Sequence, residues 1–196
     1  MKLPLKIFTD GACSGNQNDK NFGGWGAALI YGKHSKELFG GEVNTTNNRM
    51  EMTALLRAFE AVTKDGLSIE VFSDSSYLIN CFRKEWYINW QNNGWKTANN
   101  TPVENKDLWE SLLPYLGKHR IMFYRVKGHI NLKSKKTDID SLFSGFQEPN
   151  PGFFTLDDFV YIVEMNNLAD ALANKGIESV KPTCSALPAG AGQDEL

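Results

Sequence analysis

Hydrophobic residues change their period repeatedly along this chain, and the order of those changes leaves few architectures open. Leu3, Leu5 and Ile7 alternate with Lys2, Pro4 and Lys6, and two more strand-like runs follow at about 25–31 and 37–43 after short polar breaks. Strand-like runs joined this closely favour an antiparallel meander. The spacing then becomes helical: Met52, Leu55, Leu56, Phe59 and Val62 share one stripe, Asn48 and Glu51 resemble its capping start, and an end is expected near Gly66. Residues 67–73 form a short apolar run closing on Asp74, the pattern of a buried parallel strand after a crossover helix. A second stripe (Leu108, Trp109, Leu112, Leu113, Leu116) precedes a fifth strand at 121–126, and Asn166 to Lys175 reads as a short final helix. The order predicts an α/β fold, a mixed five-stranded sheet with helices on its faces.

The 196 residues, 41% hydrophobic and 22% charged, suit one domain with a real core. We expect a single domain over 1–180 with an insertion at about 131–165, because over thirty residues separate the last strand from the last helix. A flexible tail is expected over 181–196, where Pro, Ala and Gly dominate. Charge is segregated: seven Lys or Arg and no acid lie in 118–136, then seven acids and no Lys or Arg in 137–170. A formal charge of −2 argues against a generally basic surface, so any polyanion site must be local. No run approaches a membrane span, and residues 1–10 are too charged for a secretory signal, so a cytoplasmic protein is expected. Cys13, Cys81 and Cys184 are widely spaced and odd in number, which favours reduced thiols over a disulfide framework or a zinc site.

Asp10 and Asp74 each close a predicted strand, and in an open sheet neighbouring strand ends border the crevice where ligands bind. Glu51, in the first turn of the following helix, and Asp170, in the first turns of the last, are placed to face the same crevice. Four converging carboxylates repel one another; divalent ions relieve this, and all-oxygen ligands suit Mg²⁺ or Mn²⁺. Ions paired roughly 3.5–4 Å apart serve phosphodiester hydrolysis. Each acid also has a plainer role open to it: an Asp-Gly turn, dipole complementation in a first helical turn, or an N-cap.

The words around these acids decide between the two. Thr9-Asp10-Gly11-Ala12-Cys13-Ser14-Gly15-Asn16, Thr45-Thr46-Asn47-Asn48-Arg49-Met50-Glu51, Ser73-Asp74-Ser75-Ser76-Tyr77, Val126-Lys127-Gly128-His129 and Asn166-Asn167-Leu168-Ala169-Asp170 occur in this order. The series resembles bacterial type 1 ribonuclease H. The segment from Trp86 to Trp109 resembles that family's handle region, so the resemblance covers most of residues 3–178. It implies a ribonuclease H-like sheet and metal-dependent endonucleolytic cutting of the RNA strand of RNA-DNA hybrids, leaving 5′-phosphate and 3′-hydroxyl ends. Asp10, Glu51, Asp74 and Asp170 match its metal ligands, for two Mg²⁺ with Mn²⁺ as substitute. His129 matches a loop residue that shuttles a proton near neutral pH.

Reading RNA against DNA requires contact with 2′-hydroxyls in a wide minor groove, a task for backbone and short polar groups. Cys13, Ser14, Gly15, Asn16, Asn47, Asn48 and Ser76 match the family's contact positions, Ser76 standing where the family usually has Gln. Trp86 is the one handle tryptophan expected at the DNA strand; Trp90, Trp95 and Trp109 read as packing residues. The handle tip, Gln91-Asn92-Asn93, is neutral, which leaves Lys133, Lys135 and Lys136 as candidate replacement phosphate contacts. Among Asp138, Asp140, Asp157, Asp158 and Asp170, the fourth ligand is assigned to Asp170, which precedes the small-residue run Ala171-Leu172-Ala173. Thr155 to Asp158 reads instead as the start of an extra amphipathic helix bearing Phe159, Val160 and Val163. The expected partner is a hybrid duplex, met by a monomer away from any membrane. Two rivals are a DNA-cutting nuclease or transferase of the same fold, and a non-catalytic hybrid-binding module; a full set of acids with His129 disfavours the second.

Overall fold

The computed structural model describes residues 3–15 and 20–182. Three strands, β1 (Leu5–Ser14), β2 (Phe22–Tyr31) and β3 (His34–Val43), lead into α1 (Asn47–Glu60), β4 (Ser68–Ser73), α2 (Ser76–Arg83) and α3 (Trp86–Asn92). There follow α4 (Lys106–Leu112), α5 (Pro114–Lys118), β5 (Arg120–Arg125), α6 (Ile139–Gln147) and α7 (Leu156–Val180). The strands make one sheet in the order β3-β2-β1-β4-β5, antiparallel across the first three and parallel from β1 through β4 to β5. The expected mixed α/β sheet is therefore present.

Both faces are covered, so alternation along the central strands feeds two cores. Ile7, Ile69 and Val71 pack with Leu55 and Phe59 of α1, Leu78 of α2 and Trp109 of α4. On the other face Phe8, Phe72 and Tyr124 stack across β1, β4 and β5 at ring separations of 4.9 and 5.1 Å, and meet Phe159, Ile162 and Val163 of α7. Helix α7 lies close on β2: a Cβ at Gly26 would come within 2.3 Å of the Ala169 carbonyl oxygen and 2.5 Å of the Ala173 nitrogen. That backbone contact fixes the height of Asp170 above the sheet.

Several boundaries differ from expectation. Strand β1 does not stop at Gly11; only its parallel pairing with β4 stops, at Thr9 opposite Ser73, while pairing with β2 continues to Ser14 opposite Phe22. Asp10 is thus inside a strand at the point where its parallel neighbour leaves. Helix α1 is capped by Thr46, whose hydroxyl accepts from the Arg49 N–H, rather than starting at Asn48; Glu51 therefore lies in its second turn. The stripe from Leu108 to Leu116 is divided between α4 and α5, with Pro114 opening the second.

The largest correction concerns the end of the chain. The extra helix at Thr155 and the final helix are one 25-residue element, α7, begun by a Thr155–Asp158 capping box. Asp170 therefore stands about four turns into the helix rather than in its first turns. Glu164, Asn166 and Asn167 interrupt the apolar stripe and divide the sequence pattern, but such residues do not end a helix. Val160 is only half-buried; Phe159, Ile162 and Val163 carry the burial. Before α7, residues 131–155 contain α6, whose Phe146 packs on Phe154 and Phe159. No described helix is long and apolar enough to cross a membrane. The tail expected over 181–196, with Cys184, lies almost wholly outside the described residues.

Candidate active site

Asp10, Glu51 and Asp74 arrive from three elements at one point. Each offers a carboxylate oxygen within 4.8 Å of the others. Close packing of α1 on β1 makes this possible: a Cβ at Gly11 would sit 2.2 Å from the Glu51 nitrogen, so glycine here lets the helix bring Glu51 against Asp10. The Gly11 N–H donates to Asp10 Oδ1 at 2.8 Å, fixing that carboxylate. Asp74 follows the last residue of β4, immediately before Ser75 caps α2. Asp10 and Glu51 are only 5% and 3% exposed. Turn formation, dipole complementation and capping do not explain two buried acids facing each other.

The electrostatics follow from that burial. Loss of hydration, then the charges of Asp74 and Asp170, push Asp10 up to about 8. Burial, then Asp10 and Asp74, holds Glu51 well above the ordinary carboxylate range. Asp74 is raised mainly by burial, with His129 opposing. Glu51 Oε2 is buried without a hydrogen-bond partner among the described residues. An orphaned carboxylate oxygen beside two further carboxylates is a donor set suited to a hard divalent cation.

Asp170 and His129 line the same cleft of about 390 Å³. Asp170 is not within the compact trio but stands at its rim, half-buried, and Asn174 one turn on donates to its Oδ1 at 3.1 Å and to its backbone oxygen at 2.9 Å. His129 sits in the left-handed region (φ 55°) after β5, its imidazole 78% exposed and Nδ1 3.9 Å from Asp170 Oδ2. Asn167 ties this loop to α7 by donating to the Ile130 carbonyl at 2.9 Å. Asn174 and Asn167 have no assigned role in the sequence reading; their spacing of +4 and −3 from Asp170 on one helix is the signal that finds them. The competing acids are elsewhere occupied: Asp138 caps α6, Asp158 closes the capping box of α7, and Asp140 and Asp157 are exposed first-turn residues.

The polar residues expected at the nucleic acid divide into two groups. Cys13, Asn47, Asn48 and Ser76 line the acid cleft, as do Ser75 and Tyr77. With Thr46 as the cap, Asn47 and Asn48 are left in the first turn of α1 with side chains free of capping. Ser14 ends β1 with its hydroxyl buried and, among the described residues, unpartnered; Gly15 follows at φ +137°, and Asn16 lies outside the described residues. Arg49 forks onto Asp107 at 2.8 and 3.2 Å, tying the start of α1 to α4. Trp86, half-buried, borders a separate shallow groove with Asn89, Trp90 and Lys96, and Lys84 Nζ lies 5.8 Å from its ring. Lys133, Lys135 and Lys136 are exposed beyond the His129 loop.

Comparison with known proteins agrees with this geometry. The family model described as RNase H matches residues 3–145. A ribonuclease H of Syntrophomonas wolfei subsp. wolfei is 51% identical over 123 residues, 63% of this chain and 82% of that protein. Among solved structures, LC9-RNase H1, a type 1 RNase H with the type 2 active-site motif, superposes with a TM-score of 0.66 at 21% identity, covering 93% of this chain and 76% of that one. LC11-RNase H1 in complex with RNA/DNA hybrid gives 0.54 at 17% identity, covering 89% and 97%.

Proposed function

The chain belongs to the ribonuclease H family, and from that premise we propose that the cleft formed by Asp10, Glu51, Asp74, Asp170 and His129 is where it cuts the RNA strand of an RNA-DNA hybrid. The observation that carries the assignment is the trio of carboxylates, Asp10 and Glu51 buried and Asp74 half-buried, with Glu51 Oε2 left unpartnered, in a cleft also lined by Asp170 and His129. Asp10, Glu51, Asp74 and Asp170 are the residues that would hold Mg²⁺, with Mn²⁺ as substitute. Two such ions, when bound, activate a water and stabilise the leaving oxygen of a phosphodiester.

The protein's own groups divide the remaining work. The Gly11 N–H holds Asp10 in one orientation, and α1 presents Glu51 without freedom to turn away. Asn174 steadies Asp170. His129, on an exposed loop beside Asp170, moves a proton to or from the reacting water or the departing 3′-oxygen, a role open to an imidazole, which can both donate and accept one. Cys13, Ser14, Gly15, Asn16, Asn47, Asn48 and Ser76 meet the 2′-hydroxyls and minor groove, and Trp86 with its neighbouring lysine meets the DNA strand. One chain supplies every group, which supports a monomer, and we propose a cytoplasmic location with it.

The test is cleavage of strand-labelled RNA-DNA, RNA-RNA and DNA-DNA duplexes with Mg²⁺ or Mn²⁺, by wild type and Asp10→Asn. The expected result is cutting of the RNA strand of the hybrid alone, to 5′-phosphate and 3′-hydroxyl ends, lost on chelation and in the variant. Equal cutting of DNA duplexes, or unaltered cutting by Asp10→Asn, overturns the proposal.

A further inference from the structure

A groove of about 620 Å³ lies beside the acid cleft. The two are continuous, since Asp74 and His129 line both. One wall is the end of β5 and the loop after it, with Arg125 and Lys127; the other is α6, which presents Ser141, Leu142 and Gly145. Arg125 and Lys127 are exposed, and among the described residues neither makes an ion pair. Apart from Asp74 and His129 at the catalytic end, the titratable groups facing the groove are these two cations. Apolar side chains, Leu142 and Phe146 among them, line its floor and far wall.

The α6 wall is firmly built. Asn150, 2% exposed, donates to the carbonyls of Arg125 and Phe146, both at 2.7 Å, and accepts from the Arg125 N–H at 2.9 Å. Its side-chain amide thus occupies both backbone groups of Arg125 on the outer edge of β5, as another strand would. Arg83 adds bonds to Asn150 and to the Pro149 and Phe123 carbonyls. The end of α6 is bolted to the sheet beside the catalytic loop.

We propose that this groove holds the strand being cut, one or two nucleotides away from the scissile phosphate, with Arg125 and Lys127 on a phosphodiester and the apolar floor under ribose or base. Charge complementarity and continuity with the acid cleft select this occupant. The inference rests on the hybrid-cutting function proposed above. It gives residues 131–155 a role: α6 lengthens the track along which the strand is gripped.

Gly145 offers a clean probe, because a Cβ there meets nothing within 4 Å and the position is helical. Glu and Lys are both better helix formers than Gly, so Gly145→Glu and Gly145→Lys should melt at or above wild type. The experiment is fluorescence anisotropy of a labelled hybrid in chelator, where nothing is cut, across a salt series. Gly145→Glu should weaken binding about 3- to 10-fold and Gly145→Lys strengthen it similarly, while Arg125→Ala and Lys127→Ala should each flatten the log–log salt slope by roughly one. The same charge changes at Ser144, exposed and on a face of the helix that does not line the groove, should move binding clearly less than those at 145. Equal effects at 144 and 145, or unchanged binding by the Gly145 pair with melting intact, overturn the groove assignment while leaving the function standing. Failure of wild type to cut hybrid in the strand-labelled assay overturns the function itself.

Discussion

Replacing Asp10 by Asn should stabilise the metal-free protein, and by an amount that depends on pH in a definite way. Asn keeps an oxygen to accept the Gly11 N–H but removes a charge held among Glu51, Asp74 and Asp170. The Asp10 carboxyl goes from 3.8 to about 8 on folding, so the folded state binds its proton more tightly than the unfolded state does. The stability linked to that proton is present below the unfolded value and is lost as pH rises from about 4 towards 8. At pH 7 the fixed structure would forfeit about 4 kcal/mol in this way, and water entry with side-chain relaxation should reduce the observed difference to ~1–3 kcal/mol. Urea unfolding in EDTA at pH 5, 7 and 8, followed by tryptophan fluorescence, measures it. Wild type should lose stability over this range more steeply than Asp10→Asn, with equal m-values, and added Mg²⁺ should restore wild type more than the variant. A variant less stable than wild type without metal, or a difference indifferent to pH, would refute the crowded-carboxylate reasoning.

Other substitutions separate the remaining parts. His129→Ala should lower kcat by about 10²-fold with a much smaller loss of hybrid affinity in chelator and little change in melting temperature, because the imidazole is 78% exposed. Asn174→Ala, which frees Asp170, should reduce metal-dependent activity by roughly 10- to 100-fold, partly recovered at higher Mn²⁺, while the melting temperature moves little. Asn150→Ala should cost about 2–4 kcal/mol in urea unfolding, since it leaves the Arg125 N–H and carbonyl without their buried partner.

Where the sequence was legible, it was because burial imposes a period. The meander, the stripe of α1 and the doubly buried β4 all follow from side chains meeting two covered faces, and the acids ending β4 and entering α1 inherit their places from those elements. What periodicity does not carry is continuity. Pairing of β1 with β2 beyond Asp10 leaves no mark in a pattern that only registers the loss of β4, and Glu164, Asn166 and Asn167 break the apolar stripe without breaking the helix. Asn150 could not be found by either route, since its value lies in matching the open edge of β5 about 25 residues back along the chain. The same is true of the groove, which exists only because α6 is fastened there.

Asp10, Glu51 and Asp74 together should hold a divalent cation. Anomalous scattering from crystals of the full chain soaked in Mn²⁺ tests it most directly. A manganese peak is expected among those three carboxylates, absent in Asp10→Asn crystals treated alike. Manganese bound only elsewhere, with the trio left protonated and empty at pH 8, would contradict it.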